Sequence, residues 1–439
     1  MKFIRIIFYF FFLIYLLIPD WTKNIGIGEP GQRILLFDFF ILLLFILTIY
    51  SLFSSIIHLF KLSSLIGIFL FSITLIISIL RGLPEYGGFA IGESRWYLCS
   101  ILLPIGFSIY DDEAIHSIIK IFYIAAIFQS ILIIYCYVFN VPWNVEGDAI
   151  RFGSGAQSLI ISIACVFIFM EIFILNHEFK TKKILMLFVF LLAILFAQTR
   201  TIFILLPLMI FSILMFLGKL KLRKFIKFGL ISFFAIFILF FSLKLFVRSN
   251  VINSIYESAY VIGEIFEPST YIIITNPNLI NYYNADFSES GNTLWRAYAW
   301  GQTFEKINNT RLGWIIGLPM GSGFTFFGPN GQLFENLDPH NDYISIISKI
   351  GLFGLLGFLL IVRSYFKNFY SIKEKIIQNK ERLEGGIVLT VIILSLLLFS
   401  LVNDVIRSYG IFFWVWLFLG FGFRMIYNII YDINPSIEY

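Results

Sequence analysis

The chain has 439 residues, of which 59% are hydrophobic and only 13% charged, with a formal net charge of +5. Soluble domains are about 45–50% apolar and about 25% charged, so a string of soluble domains is excluded. The apolar residues form unbroken runs such as 34–53 and 228–246, not the period-two alternation of an outer-membrane barrel, which leaves an all-α polytopic membrane protein.

A crossing helix needs roughly 20 apolar residues. In chain order the runs predict about twelve spans, at 4–19, 34–53, 63–80, 97–110, 117–139, 157–175, 184–199, 201–218, 228–247, 343–362, 387–402 and 411–428. Met1 to Ile18 has the positive start and apolar body of a signal peptide. It lacks a small-residue cleavage site and many spans follow, so it reads as the first span. Cys99, Cys136 and Cys165 lie inside apolar runs, which argues against a disulfide framework or a cysteine-based metal site.

The connections are short except for one. Residues 248–341 form a long polar and aromatic loop, dividing the chain into spans 1–9 (1–247), the loop domain (248–341), and spans 10–12 with the C-terminus (342–439). Sorting the 32 Lys and Arg by this map puts 18 on the side of the termini, 11 on the other and three, Lys120, Lys244 and Lys349, inside spans. The positive-inside rule then makes both termini cytoplasmic and the long loop external. No internal repeat is visible, which weakens an inverted-repeat transporter.

The two basic residue types are sorted as well. Cytoplasmic segments hold 13 Lys and 5 Arg, whereas outer segments hold 2 Lys and 9 Arg. The outer set is Arg33, Arg81, Arg95, Arg151, Arg200, Arg248, Arg296, Arg311 and Arg407. A guanidinium grips phosphate bidentately, so the set suits an anionic ligand such as a diphosphate at the outer surface; interfacial anchoring is the competing role. Arg200 is the sharpest member. Two spans are compressed between Lys183 and Lys219, so the Gln198-Thr199-Arg200 turn stays at headgroup depth.

Among the four His, His58, His116 and His177 fall at cytoplasmic ends and His340 alone falls outside. An imidazole takes up a proton near neutral pH and is a candidate base for a sugar hydroxyl, although a boundary His also serves as a cap or surface residue. Asn341 or Asp342 is placed to cap the tenth span. Within the loop, 292–300 reads as a capped amphipathic helix with aromatics on one face, lying on the membrane or on the bundle. Gly317 to Gly323 reads as a flexible segment whose N–H groups suit an anion, without the Lys and spacing of a P-loop. Gly351, Gly354 and Gly357 stand at helical spacing and suit close helix packing. Glu146-Gly-Asp148 is an outward acidic pair of the kind usually found solvated, and Asp111-Asp112-Glu113 lies on the cytoplasmic side.

These residues resemble a family. His340-Asn341, nine residues, then Gly351-Leu-Phe-Gly354 is similar to the His-Asn/Ser/Gln, x9, Gly-x-x-Gly pattern of the bacterial O-antigen ligase and polymerase superfamily. The Arg296-x3-Trp300 helix, Gly321 and Gly323, and the Thr199-Arg200 hairpin tip look like further family features. Lys349 departs from the pattern, since many relatives carry an acidic residue there, and leaves any partner of His340 unnamed. The resemblance implies an inner-membrane glycosyltransferase of the GT-C type. Its donor would be an undecaprenyl-diphosphate-linked glycan, and its acceptor lipid A-core or a lipid-linked repeat unit.

In that reading His340, Arg200 and Arg296 are catalytic. Arg81, Arg95, Arg151, Asn341, Trp300, Gly321 and Gly323 bind substrate at the periplasmic face. Transfer is inverting and independent of metal and cofactor. The bilayer and other polysaccharide-assembly proteins are the expected partners, and nucleic acid is not one. A transporter or flippase of lipid-linked saccharides is the alternative, and would call for charges deep in several spans and pseudo-symmetric halves.

Overall fold

A computed structural model describes residues 2–19, 26–27, 34–62, 65–146, 149–173, 181–197, 200–216, 268–276, 291–323, 325–327, 333–335, 341–378, 380–401 and 412–431. The helices are α1 (Lys2–Leu17), α2 (Leu36–Leu62), α3 (Leu65–Tyr86), α4 (Gly88–Leu98), α5 (Leu102–Ile109), α6 (Asp112–Val138), α7 (Gly155–Phe173) and α8 (Thr181–Ala197). They continue with α9 (Arg200–Phe216), α10 (Pro268–Thr275), α11 (Gly291–Asn309), α12 (Gly313–Ile316), α13 (Asp342–Ser371), α14 (Lys373–Gln378), α15 (Lys380–Phe399) and α16 (Phe412–Ile430). Three two-stranded antiparallel ribbons sit in the connections, pairing β1 (Gly26–Ile27) with β2 (Ile34–Leu35), β3 (Asn144–Glu146) with β4 (Ala149–Arg151), and β5 (Thr325–Phe327) with β6 (Leu333–Glu335).

Among the described residues six helices are long and apolar enough to cross a membrane: Leu36–Leu62, Leu65–Tyr86, Glu113–Val138, Gly155–Ile172, Asp342–Ser371 and Arg382–Phe399. Helix also occupies the other spans expected from the sequence, with two exceptions. The fourth, expected at 97–110, is broken into the end of α4, a 3₁₀ turn at Cys99–Ile101 and α5. The ninth, expected at 228–247, lies outside the described residues, as does most of the long loop.

One core holds the bundle together. Phe8 and Phe12 of α1 pack on Trp414 and Phe418 of α16, with the Phe12 and Trp414 ring centroids 4.5 Å apart. The α3–α13 contact is closer than ordinary side chains allow. A Cβ on Gly67 would sit 2.8 Å from the Gly357 carbonyl oxygen, and one on Gly357 would sit 2.7 Å from that of Gly67. Small residues let helices approach this closely without water to drive them together. Buried polar groups are matched in the same spirit: the Gln129 amide donates to the last carbonyls of α1, Leu16 and Leu17, at 2.9 and 2.7 Å, and accepts from Gln157 of α7 at 2.8 Å. Carbonyls in the last turn of a helix lack a regular intrahelical partner, and leaving one bare in hydrocarbon would cost several kcal/mol.

Candidate active site

Of the residues singled out by the sequence, Arg81, Gly321, Gly323 and Lys349 meet where α3, α4, α12 and α13 converge. The centre of that junction is the segment after α12. Leu312, at φ 62, turns the chain out of the long loop helix α11 into α12, and Gly317, at φ 76 and ψ −175, turns it again. This second conformation is essentially open to glycine alone.

From Gly317 the chain is pinned at nearly every amide. The Leu318 N–H donates to the Ser348 carbonyl at 2.6 Å, and the Met320 N–H to the Ser78 carbonyl at 3.1 Å. Ser78 returns its hydroxyl to the Leu318 carbonyl at 2.9 Å. The Gly321 N–H donates to Glu93 Oε2 at 2.5 Å. Gly317 to Gly323 is therefore not the flexible, anion-facing segment expected from its composition. Most of its N–H groups are engaged by the protein.

A matching irregularity in α13 receives it. Gly351 has φ 72 and ψ −178, so the helix kinks there. This corrects the expectation that Gly351, Gly354 and Gly357 form one helical packing stripe: Gly357 packs on α3, whereas Gly351 breaks the helix. The two irregular glycines serve a single close approach. A Cβ on Gly317 would lie 2.3 Å from the Lys349 carbonyl carbon, and one on Gly351 would lie 2.2 Å from the Ile315 carbonyl oxygen.

Lys349 completes the junction. Its side chain is wholly buried, and its ammonium lies 3.0 Å from Glu93 Oε2 while donating to Ser322 Oγ at 2.9 Å and the Gly323 carbonyl at 3.2 Å. A buried ammonium is stable only when paired and hydrogen-bonded, and all three acceptors belong to the neighbourhood of the motif loop. Glu93 and Ser78 were not singled out in the sequence. The signal was a charge inside a span, Lys349, which requires an acidic partner in the bundle; which acid faces it follows only from how α4 packs.

The start of α13 is equally fixed. Asn341 Oδ1 accepts from the Tyr343 and Ile344 amides at 3.0 and 3.1 Å, the expected cap, and its Nδ2 donates to the Leu401 carbonyl at 2.7 Å. The Asp342 N–H donates to the Ser400 carbonyl at 3.1 Å, and the Tyr343 hydroxyl to the Leu397 carbonyl at 3.0 Å. The Tyr97 hydroxyl of α4 reaches the Ser345 carbonyl at 3.1 Å. The first turns of α13 are thus held between α4 and the end of α15, while His340 itself lies outside the described residues.

The arginines divide. Arg81, half-buried at the end of α3, donates to the Gly317 carbonyl at 2.8 Å. Arg95 of α4 pairs with Asp38 of α2, Nε to Oδ1 at 2.9 Å. Arg81 therefore borders the motif loop, and both arginines have protein partners already in place. Arg151 ends β4, Arg200 opens α9 and Arg296 lies in α11, whereas Arg33, Arg248 and Arg407 fall outside the described residues. Trp300 is half-buried on α11, which packs through Ala297 and Tyr298 onto Ile273 of α10 and touches α12 and α13. Partial burial of Lys306 on the same helix lowers its pKa from the ordinary lysine value.

Residues 185–359, from the start of α8 to the middle of α13, match a family model described as O-antigen ligase. No curated protein matches the chain. The family match supports the O-antigen ligase/polymerase family, and with it a glycan-transferring function in polysaccharide biosynthesis for a multi-pass membrane protein.

Proposed function

We propose that this chain, of the O-antigen ligase/polymerase family, transfers a glycan from undecaprenyl diphosphate to an acceptor hydroxyl at the periplasmic face of the inner membrane. Both termini are cytoplasmic, and residues 248–341 form the periplasmic loop domain. The observation that carries this reading is the matched segment itself. It contains Arg200, Arg296, Gly321, Gly323, His340, Asn341, Gly351 and Gly354, the residues on which the sequence resemblance rests, and within it Gly317 and Gly351 interlock the loop with the first half of α13.

Outside the inner membrane the sugar must arrive activated, and a lipid diphosphate is a good leaving group. The acceptor oxygen attacks the anomeric carbon from the face opposite the diphosphate, the C1–O bond breaks with inversion, and His340 takes the acceptor's proton. Arg200 and Arg296 neutralise the departing diphosphate, supported by Arg81, Arg95 and Arg151. Gly321, Gly323, Asn341 and Trp300 shape the surface around it. No metal enters the scheme: transfer lost in EDTA and restored by magnesium or manganese would overturn that part.

The test is transfer by the purified protein from lipid-linked glycan to acceptor. Loss of one preorganised charge-stabilising donor lowers such rates on the order of 10²–10³-fold, the drop expected for Arg200→Ala and for Arg296→Ala. Full activity in both variants and in His340→Ala would refute the site. The acceptor is read from the lipopolysaccharide of a deletion strain: core bearing a single repeat identifies a polymerase, bare core with accumulated lipid-linked polymer a ligase.

A further inference from the structure

The end of the long loop runs deeper than a loop outside the membrane would. Two helices measure its depth. On α13, Gly351 faces the Ile315 carbonyl, and it stands nine residues past Asp342, about 13 Å along the helix at about 1.5 Å per residue. On α3, the Ser78 carbonyl accepts the Met320 amide, and Ser78 lies inside the apolar run that ends at Leu80, before Arg81. Both place residues 312–320 below the outer edge of the apolar layer.

The hydrogen bonding fits that depth, because irregular backbone is tolerated within a membrane only where protein satisfies it. The Ile315 and Ile316 amides donate to the Leu312 carbonyl at 2.9 and 3.0 Å, and the Gly317 amide to the Gly313 carbonyl at 2.8 Å. Leu318, Met320 and Gly321 donate to α13, α3 and α4. From Ile315 to Gly321 every backbone N–H is taken by protein, Pro319 having none.

The side chains divide at the same level. Asn308, Asn309 and Arg311 are exposed and polar, whereas Leu312 and Ile315 are apolar and 55% and 39% exposed. Trp314 stacks on Phe304 with ring centroids 5.5 Å apart, and its indole N–H donates to Asn308 Oδ1 at 2.5 Å. An aromatic ring with its polar edge turned to the polar side suits a membrane interface. Beyond Ile315 the exposed apolar surface continues on α13 through Leu352, Phe353 and Leu356, the side that a spanning helix turns to lipid.

We infer that residues 310–316 re-enter the membrane and dock on its outer leaflet, with Leu312 and Ile315 among the acyl chains and Arg311 at the headgroups. The partner is the bulk lipid of that leaflet, because the apolar patch is continuous with the lipid-facing side of α13 and ends at a row of polar residues. The next segment, Gly317 to Gly323, is thereby held at the membrane surface, with lipid on one side of its anchor and α3, α4 and α13 on the other. This docking does not rest on the transfer chemistry proposed above.

The experiment uses the full-length protein in phospholipid nanodiscs, spin-labelled at single added cysteines. Cys99, Cys136 and Cys165 are buried, and the parent chain taken through the same labelling gives the background. Leu312→Cys and Ile315→Cys are compared with Leu356→Cys on α13 and Asn309→Cys in the polar row, all at exposed positions. Power saturation by oxygen, which concentrates among acyl chains, and by a water-soluble nickel chelate reads the depth of each label. The labels at Leu312 and Ile315 are expected to favour oxygen as the one at Leu356 does, at the depth of about 5–10 Å typical of interfacial apolar faces, while the label at Asn309 favours nickel. Nickel access at Leu312 and Ile315 equal to that at Asn309 would overturn the docking, since the patch would then face water. Exclusion of both reagents from both positions would overturn it too, since protein would then cover the patch. Glycan transfer by a protein whose two labels are open to nickel would refute the docking alone; labels open to oxygen in a protein without transfer would refute the proposed reaction alone.

Discussion

Glu93 and Lys349 form an ion pair at 3.0 Å with side chains 5% and 0% exposed, joining α4 to the first half of α13. The same carboxylate oxygen accepts the Gly321 amide, and the same ammonium reaches Ser322 and Gly323. One pair of charges therefore sets the distance between the helix bearing Arg95, the motif loop, and the helix that begins just after His340.

Breaking this pair from one side leaves a buried charge without its partner, which costs about 3–5 kcal/mol. Lys349→Met is expected to lower thermal stability in detergent by that amount, with Glu93→Gln somewhat milder because it keeps an acceptor for Gly321. The double variant Glu93→Gln/Lys349→Met should recover much of the loss, because the uncompensated charge is gone. Additive losses in the double variant would show that the two residues act independently.

Gly351→Ala and Gly317→Ala address the interlocked backbones. Each places a side chain in a conformation open essentially only to glycine, at about 1–3 kcal/mol, and each adds a Cβ against opposing backbone at 2.2 or 2.3 Å. Both are expected to reduce stability and transfer together. The nearest atoms to a Cβ on Gly354 belong to the Ile350 side chain, not to opposing backbone, so Gly354→Ala should be milder. Thermal unfolding of the three variants side by side checks the order.

Asn341→Ala removes a cap worth about 1 kcal/mol and the bond to Leu401. Asn341→Asp keeps an acceptor for the Tyr343 and Ile344 amides but gives up the Nδ2 donor. If anchoring to the end of α15 positions His340, Asn341→Asp should retain most stability while losing transfer rate. Equal rates in Asn341→Asp and the parent would show that the cap alone matters.

The proposed base role of His340 fixes the sign of a pH effect. Acidification places a proton on the nitrogen that must accept one from the acceptor, so the transfer rate falls as pH is lowered. The His340→Ala variant should be slow and lack that limb. A parent profile flat through the acidic range would remove His340 as the base.

Helices were legible because hydrocarbon forces every backbone amide into local hydrogen bonds, so an apolar run of sufficient length has one structure to adopt. Asn341 was legible as a cap because capping is local, involving the next two or three amides. The Gly317 to Gly323 loop and Gly351 were legible as motif positions but not as structure. Their conformations exist to let two distant backbones touch, and neither sequence shows the other. Arg81 and Arg95 were legible as outer cations, yet their partners, a carbonyl 236 residues away and an aspartate on α2, follow from packing.

Composition and charge order, read along the chain alone, establish a helical membrane protein whose motifs point to glycan transfer, because membrane insertion and motif spacing act over short stretches of chain. The break in α13 and the choice of Glu93 as partner for Lys349 were settled only in three dimensions. Each depends on which helix leans on which, and close packing between small residues and buried charges, not periodicity, decides that.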